Sequence, residues 1–178
     1  MDKASIANLI EAKHSDYIKW VKNQPDEHWE RAPENKWTTG QHTLHLLDTL
    51  KIINKALRMP KFLLRYKFGT SNREVRSYDE VTKRYNERLE GAKGKTYKRS
   101  QNMKVPKIKD KAYLLDRMQQ EQKKLSYKTR RISDKHLDNI ILPHPLMGKM
   151  PIRELLMWTP YHTEHHNNTL KEKYLFKR

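Results

Sequence analysis

The residues best placed to do chemistry are His162 and His166, in the run Tyr161-His162-Thr163-Glu164-His165-His166. In a helix, residues four apart stand one turn apart on the same face. Two imidazole nitrogens can then be presented to one ion. Both residues also fall on the apolar stripe Ile152, Leu155, Thr159, His162, His166 and Leu170, the stripe that should face a protein interior, whereas His165 falls off it. A buried histidine needs partners for its ring nitrogens. Two charged imidazoles stacked in a core repel each other. A divalent cation removes both difficulties, because it binds the neutral ring. The plainer alternative is a pair of core histidines bonded to backbone or to neighbouring side chains.

A second group lies in Gly40-Gln41-His42-Thr43-Leu44-His45-Leu46-Leu47-Asp48. His45, Thr49, Ile52 and Ala56 trace a stripe expected to face inward. His42 stands one turn before His45, so either can reach a shared ion, and His42 can equally be a surface residue of the first turn. The chain has no cysteine, which excludes disulfides, thiolate ligands and a catalytic cysteine, and leaves histidine as the soft ligand. His14, His28, His136 and His144 read as surface or structural. Trp20, Trp29, Trp37 and Trp158 read as core rather than as pocket walls.

These groups have to be positioned by helices. Apolar residues recur three and four apart over long stretches, and no convincing strand pattern appears. A first helix is expected from about Lys3 to Asn23, ended by Pro25. A second is expected to start at Thr38 or Thr39 and stop before Pro60. Phe62, Leu63, Leu64, Tyr66 and Phe68 look buried. Ser77-Tyr78-Asp79-Glu80 is a capping box that opens a helix to about Glu90. A polar loop is expected over Lys93–Lys109. Asp110 caps the next helix, carried by Tyr113, Leu114, Met118, Gln122 and Leu125 to about Arg131. A linker from Ser133 to Met150 leads to a last helix with Pro151 in its first turn and Pro160 inside, running towards Tyr174. Such helices argue for an all-α bundle with room for a long crossover connection between the second and third principal helices. At 178 residues the chain suits one domain, residues 1–178, whose core needs no structural metal.

The formal net charge is +17, from 38 basic and 21 acidic residues. Between Lys83 and Arg131 there are 17 basic and 5 acidic residues, a net of +12. Such a field attracts anions, and it equally serves as a solvated surface. No apolar run is long enough to span a bilayer. The start, Met1-Asp2-Lys3-Ala4-Ser5, lacks the layout of a signal peptide, so a cytoplasmic protein with no membrane association is expected.

Trp37-Thr38-Thr39-Gly40-Gln41 followed by His45-Leu46-Leu47-Asp48 resembles the second-helix signature of the DinB-like (YfiT-like) metalloenzyme superfamily. Pro145-Leu146-Met147-Gly148-Lys149-Met150, then Leu155-Leu156, then His162-x-x-x-His166, resembles its closing signature. The two occur in the family's order, and the resemblance extends over the whole chain. Pro151 and Pro160 depart from the pattern, and Pro160 bears on the geometry at His162. The resemblance implies a four-helix bundle, a site built from His45, His162 and His166, and a homodimer.

Three neutral histidines leave a divalent ion with open positions, as in catalytic sites. Zinc, nickel and iron all suit imidazole. The activities implied by the resemblance are thiol-dependent: transfer of a low-molecular-weight thiol to a small-molecule electrophile, or isomerisation with such a thiol. Asp48 and Glu164 are the candidate bases or orienting residues, each with a solvated helix face as its plainer reading. Metal-dependent hydrolysis is a second reading on the same ligands. A third is a non-catalytic basic module for anionic partners such as nucleic acid. Tyr85, Tyr97, Tyr113 and Tyr127 lie among the cations, but no recognised nucleic-acid motif is present.

Overall fold

The fold is that of a computed structural model, which describes residues 1–34, 36–92 and 103–173. Most of the loop expected over Lys93–Lys109, together with Tyr97 and Tyr174, lies outside them. The principal helices are α1 (Lys3–Lys22), α3 (Thr39–Arg58), α6 (Lys111–Arg131) and α8 (Ile152–Lys173). Between them lie α2 (Glu27–Glu30), α4 (Lys61–Phe68), α5 (Tyr78–Glu90) and α7 (Asp134–Asn139). Among the described residues no helix is long and apolar enough to cross a membrane.

The caps are local chemistry. The Asp2 carboxylate accepts from the N–H groups of Ala4 and Ser5, both at 2.9 Å. Thr38 with Gln41, and Ser77 with Glu80, close full capping boxes on α3 and α5, satisfying orphan N–H groups at each helix start. Gly40 has a packing reason. A methyl group there would come within 3.0 Å of both the indole and the carbonyl of Trp29, whose indole N–H donates to the Lys107 carbonyl.

Cross-helix contacts set the topology. The Tyr17 hydroxyl meets that of Thr43, so α1 and α3 run in opposite senses. Lys111 reaches Asp26 at one end and Arg130 reaches Glu11 at the other, so α6 opposes α1. Arg153 bonds to the Met1 carbonyl and Lys13 pairs with Glu164, so α8 runs with α1. By difference α3 and α6 are parallel. Two parallel neighbouring helices need a crossover, and α4 and α5 lie on it. The result is the expected all-α bundle, with Ile10, Tyr17, Leu46, Leu50, Met118, Leu125 and Leu156 in its core.

The linker expected over Ser133–Met150 is ordered instead. It holds α7 and an antiparallel hairpin, β1 (Ile141–His144) and β2 (Gly148–Pro151), in the register Ile141↔Pro151 and His144↔Gly148. Strands of four residues broken by prolines are too short to show alternation. Gly148 takes φ +75° at the turn, which glycine tolerates without cost. His144 Nδ1 accepts the N–H groups of Leu146 and Met147. Pro151 ends β2, one residue before α8, while α8 runs on through Pro160. Asp110 stands at the start of α6 in a helical conformation, and its carboxylate makes no capping bond.

The apolar run on α4 also differs from expectation. Leu64 is buried, but Phe62 is 75% and Tyr66 90% exposed. Lone apolar side chains on a surface contribute little to stability. Phe62→Ser and Tyr66→Ser should each change unfolding free energy by no more than ~0.5 kcal/mol, and Leu64→Ala should cost about 2–5 kcal/mol. Urea denaturation checks this, and a large loss at Phe62 would mean that its ring is covered.

Candidate metal centre

The site forms where α3 faces α8. His162 and His166 project from successive turns of α8, and both are buried; the stripe from Ile152 to Leu170 on which they sit is buried throughout. His45 comes from α3 and is half-buried. Its presumed inward stripe does not hold as a whole, because Ile52 is 45% exposed. The buried face of α3 is Leu46, Leu47, Leu50, Ile53 and Leu57, and His45 lies at its margin.

The three imidazoles converge by their outer nitrogens. His162 Nε2 stands 3.1 Å from His45 Nε2 and 3.0 Å from His166 Nε2. One ligand atom from each of the three lies within 4.8 Å of the other two. One N–H can donate to only one partner, so three ring nitrogens turned inward leave lone pairs facing one another unless a cation sits between them. Protonation is a poor source of that cation. Burial first, then the neighbouring histidines, hold His162 and His166 well below the usual imidazole range. A metal fits better. Two ligands about 2.1 Å from one ion lie ~3.0–3.4 Å apart for bond angles of about 90–110°, which matches the two close contacts. The three-histidine group can thus hold a divalent ion.

The surroundings orient the rings. His42, open between ligand and surface residue in the sequence, is buried, and its Nδ1 lies 2.8 Å from His166 Nδ1. With His166 Nε2 turned to the centre, a proton shared between the two Nδ1 atoms sets the His166 tautomer. Burial drives His42 itself down to about 3. Trp158 stacks on His162 at 4.4 Å and 19°. The Trp37 ring approaches His45 at 5.1 Å and lies parallel to His166 at 6.2 Å. Tyr85 stands edge-on to His162 and His165. Two of the four tryptophans therefore wall the histidine cluster. No sequence spacing links Trp37 to α8, so only the tertiary structure identifies it.

The two expected carboxylates have partners of their own. Asp48 lies 3.9 Å from Lys51, and Glu164 pairs with Lys13. Glu164, two residues past His162, points away from it around the helix. His14 and His144 are structural. His14 Nδ1 donates to the Ile10 carbonyl and its Nε2 meets the Thr163 hydroxyl. His144 packs edge-on against Trp158. Burial holds both at about 4.

Removing an outer partner of a metal-binding histidine typically costs 10–100-fold in metal affinity. His42→Ala should therefore weaken zinc binding by about that factor while leaving one site per chain. Competition with a chromogenic chelator measures it, and unchanged affinity would make His42 a packing residue only.

A family model described as the DinB superfamily matches residues 9–170. Comparison with curated proteins and with solved structures gave no match.

Proposed function

The chain belongs to the DinB superfamily, and we propose that it is a metal-dependent enzyme that transfers a low-molecular-weight thiol to a small electrophile. His45, His162 and His166 are its ligands. The observation that carries the reading is the convergence of three Nε2 atoms with 3.0 and 3.1 Å contacts, in a setting that disfavours their protonation. A divalent ion there, zinc, nickel or iron, supplies Lewis acidity that turns a thiol, or water, into a nucleophile near neutral pH.

The chain's own residues do the rest. His42 holds the proton at His166 Nδ1 and keeps Nε2 free for the centre. Trp158 and Trp37 shield the imidazoles from water. His45, at the margin of the buried face, gives the site its open side. In the reaction the thiol sulfur bonds to the electrophilic carbon, and the leaving group departs with the bonding pair. The thiol proton passes to a carboxylate or to solvent. Asp48, one turn from His45, is the candidate acceptor once it releases Lys51; Glu164, paired with Lys13 and turned away from His162, is not placed to take the proton. The net charge of +17 favours an anionic thiol.

Metal-loaded protein with an aryl halide and a panel of thiols tests this. Turnover above background that chelator removes is the expected result. No turnover with any thiol, together with chelator-sensitive cleavage of activated esters, would replace it with metal-dependent hydrolysis.

A further inference from the structure

Away from the histidines, α3 and α6 enclose an open cleft of about 530 Å³. Lys51, Lys55 and Arg58 stand at i, i+4 and i+7 on α3. Lys124, Lys128 and Arg131 stand at the same spacing on α6. Because the two helices are parallel neighbours, these are two rows of cations along one groove, each spanning ~10 Å. A second cleft of about 380 Å³ continues it past Lys128, lined by Lys61, Tyr127 and Arg131.

The groove is not neutralised from within. Its one buried acid, Glu121, is already shared by Lys124 at 2.9 Å, Arg117 at 3.2 Å and the Asn54 amide at 2.9 Å. Lys128 donates to the Asn54 carbonyl and side-chain oxygen. Among the described residues, Lys55, Arg58 and Arg131 make no salt bridge. Like charges gathered in a concave, partly desolvated space repel one another, and a bound anion offsets that repulsion. Two extended rows suit a linear polyanion, where a single phosphate would need converging cations. The concavity disfavours a planar membrane. Tyr127 adds an aromatic face among the cations: it is 62% exposed, and the Arg131 guanidinium sits 5.4 Å from its ring centre.

We propose that the groove between α3 and α6 binds a single strand of nucleic acid, its phosphates followed by the two cation rows and one base stacked on Tyr127. This groove holds none of the three histidines or their ring partners; Lys51, which also pairs with Asp48, is the residue it shares with the proposed metal chemistry.

The test is fluorescence anisotropy of a labelled 12-nucleotide single strand with the full chain. Binding should weaken steeply between 50 and 200 mM salt, with a log–log slope of about −3 to −4 for some five phosphates neutralised. The double variant K55E/K124E, altered at exposed positions, should bind at least ~10-fold more weakly while keeping the wild-type circular dichroism. Tyr127→Ala should weaken binding several-fold at an unchanged salt slope, and Tyr127→Phe should restore it. No binding at 50 mM salt overturns the proposal, as does wild-type affinity in K55E/K124E. It also falls if inorganic polyphosphate of equal charge competes as well as the strand while Tyr127→Ala has no effect. Sedimentation with phosphatidylserine vesicles but no strand binding, lost in the same variant, would make the groove a lipid-headgroup site instead.

Discussion

Wild-type protein should carry about one divalent metal per chain after gel filtration, and the His162→Ala variant should carry none. His162 is the residue to remove because both close nitrogen contacts of the cluster run through it, at 3.1 Å to His45 and 3.0 Å to His166. Without it two imidazoles remain, from different helices, and two ligands do not hold a labile ion through purification. His45→Ala should behave in the same way. Stability gives a second readout. A ligand at about 1,000 times its Kd stabilises the native state by ~4 kcal/mol, and a chain of this size gains about 2–4 °C in Tm per kcal/mol. Chelator should therefore lower the wild-type Tm by roughly 10 °C and leave His162→Ala unmoved. That comparison is needed because truncating a side chain stacked on Trp158 also destabilises by itself. A wild type that takes up no metal from zinc or nickel, and whose Tm ignores chelator, would make the cluster a hydrogen-bonded part of the core.

How far the sequence foretells such a site depends on whether a signal is local. His162 and His166 were legible because the helical period alone places them on the buried stripe of α8. Ser77 was legible because a capping box closes within four residues, whereas Thr38 and Thr39 were equal candidates until the Thr38–Gln41 box decided between them. The stripe through His45 and Ile52 was only half right. Apolar residues cover so much of α3 that the period could not locate the centre of its buried face, and Ile52 lies outside it. The role of His42 was not legible, since it depends on the rotation of the His166 ring, 124 residues away. Nor was the exposure of Phe62 and Tyr66. An apolar run reads as core, and only the placement of α4 on the crossover shows that Leu64 enters the core and Phe68 packs against it, while Phe62 and Tyr66 face outward. The hairpin at Ile141–Pro151 escaped because four-residue strands leave too few alternations.

The buried carboxylate of Glu154 belongs to the same non-local class, and its loss should be among the most destabilising single changes in the chain. Its side chain is 1% exposed. It accepts two bonds from the Arg73 guanidinium, at 2.6 and 2.8 Å, one from the Arg76 backbone N–H at 2.8 Å and one from the Arg76 guanidinium at 3.3 Å. These bonds tie the first turn of α8 to the segment entering α5, the two elements that bring Tyr85 and Trp158 to His162. Breaking a buried pair by removing one partner costs about 3–5 kcal/mol. The arginines keep about a third of their surface in water and can be resolvated, so the lower end applies. Glu154→Gln should thus lose ~3 kcal/mol and about 6–12 °C in Tm. Acid should reveal the same bonds. Burial raises the Glu154 carboxyl, but the Arg73 bonds and the Arg76 N–H outweigh it, so the group titrates below its ordinary 4.5. A carboxyl with a depressed folded-state pKa contributes stability that is whole above about pH 4.5 and is lost as pH falls through the folded value. The unfolding free energy of Glu154→Gln should therefore fall less steeply than that of the wild type below pH 4.5. Equal acid slopes in the two proteins, or a loss at neutral pH under 1 kcal/mol, would mean that solvent already satisfies Arg73 and Arg76 and that packing alone holds α5 against α8.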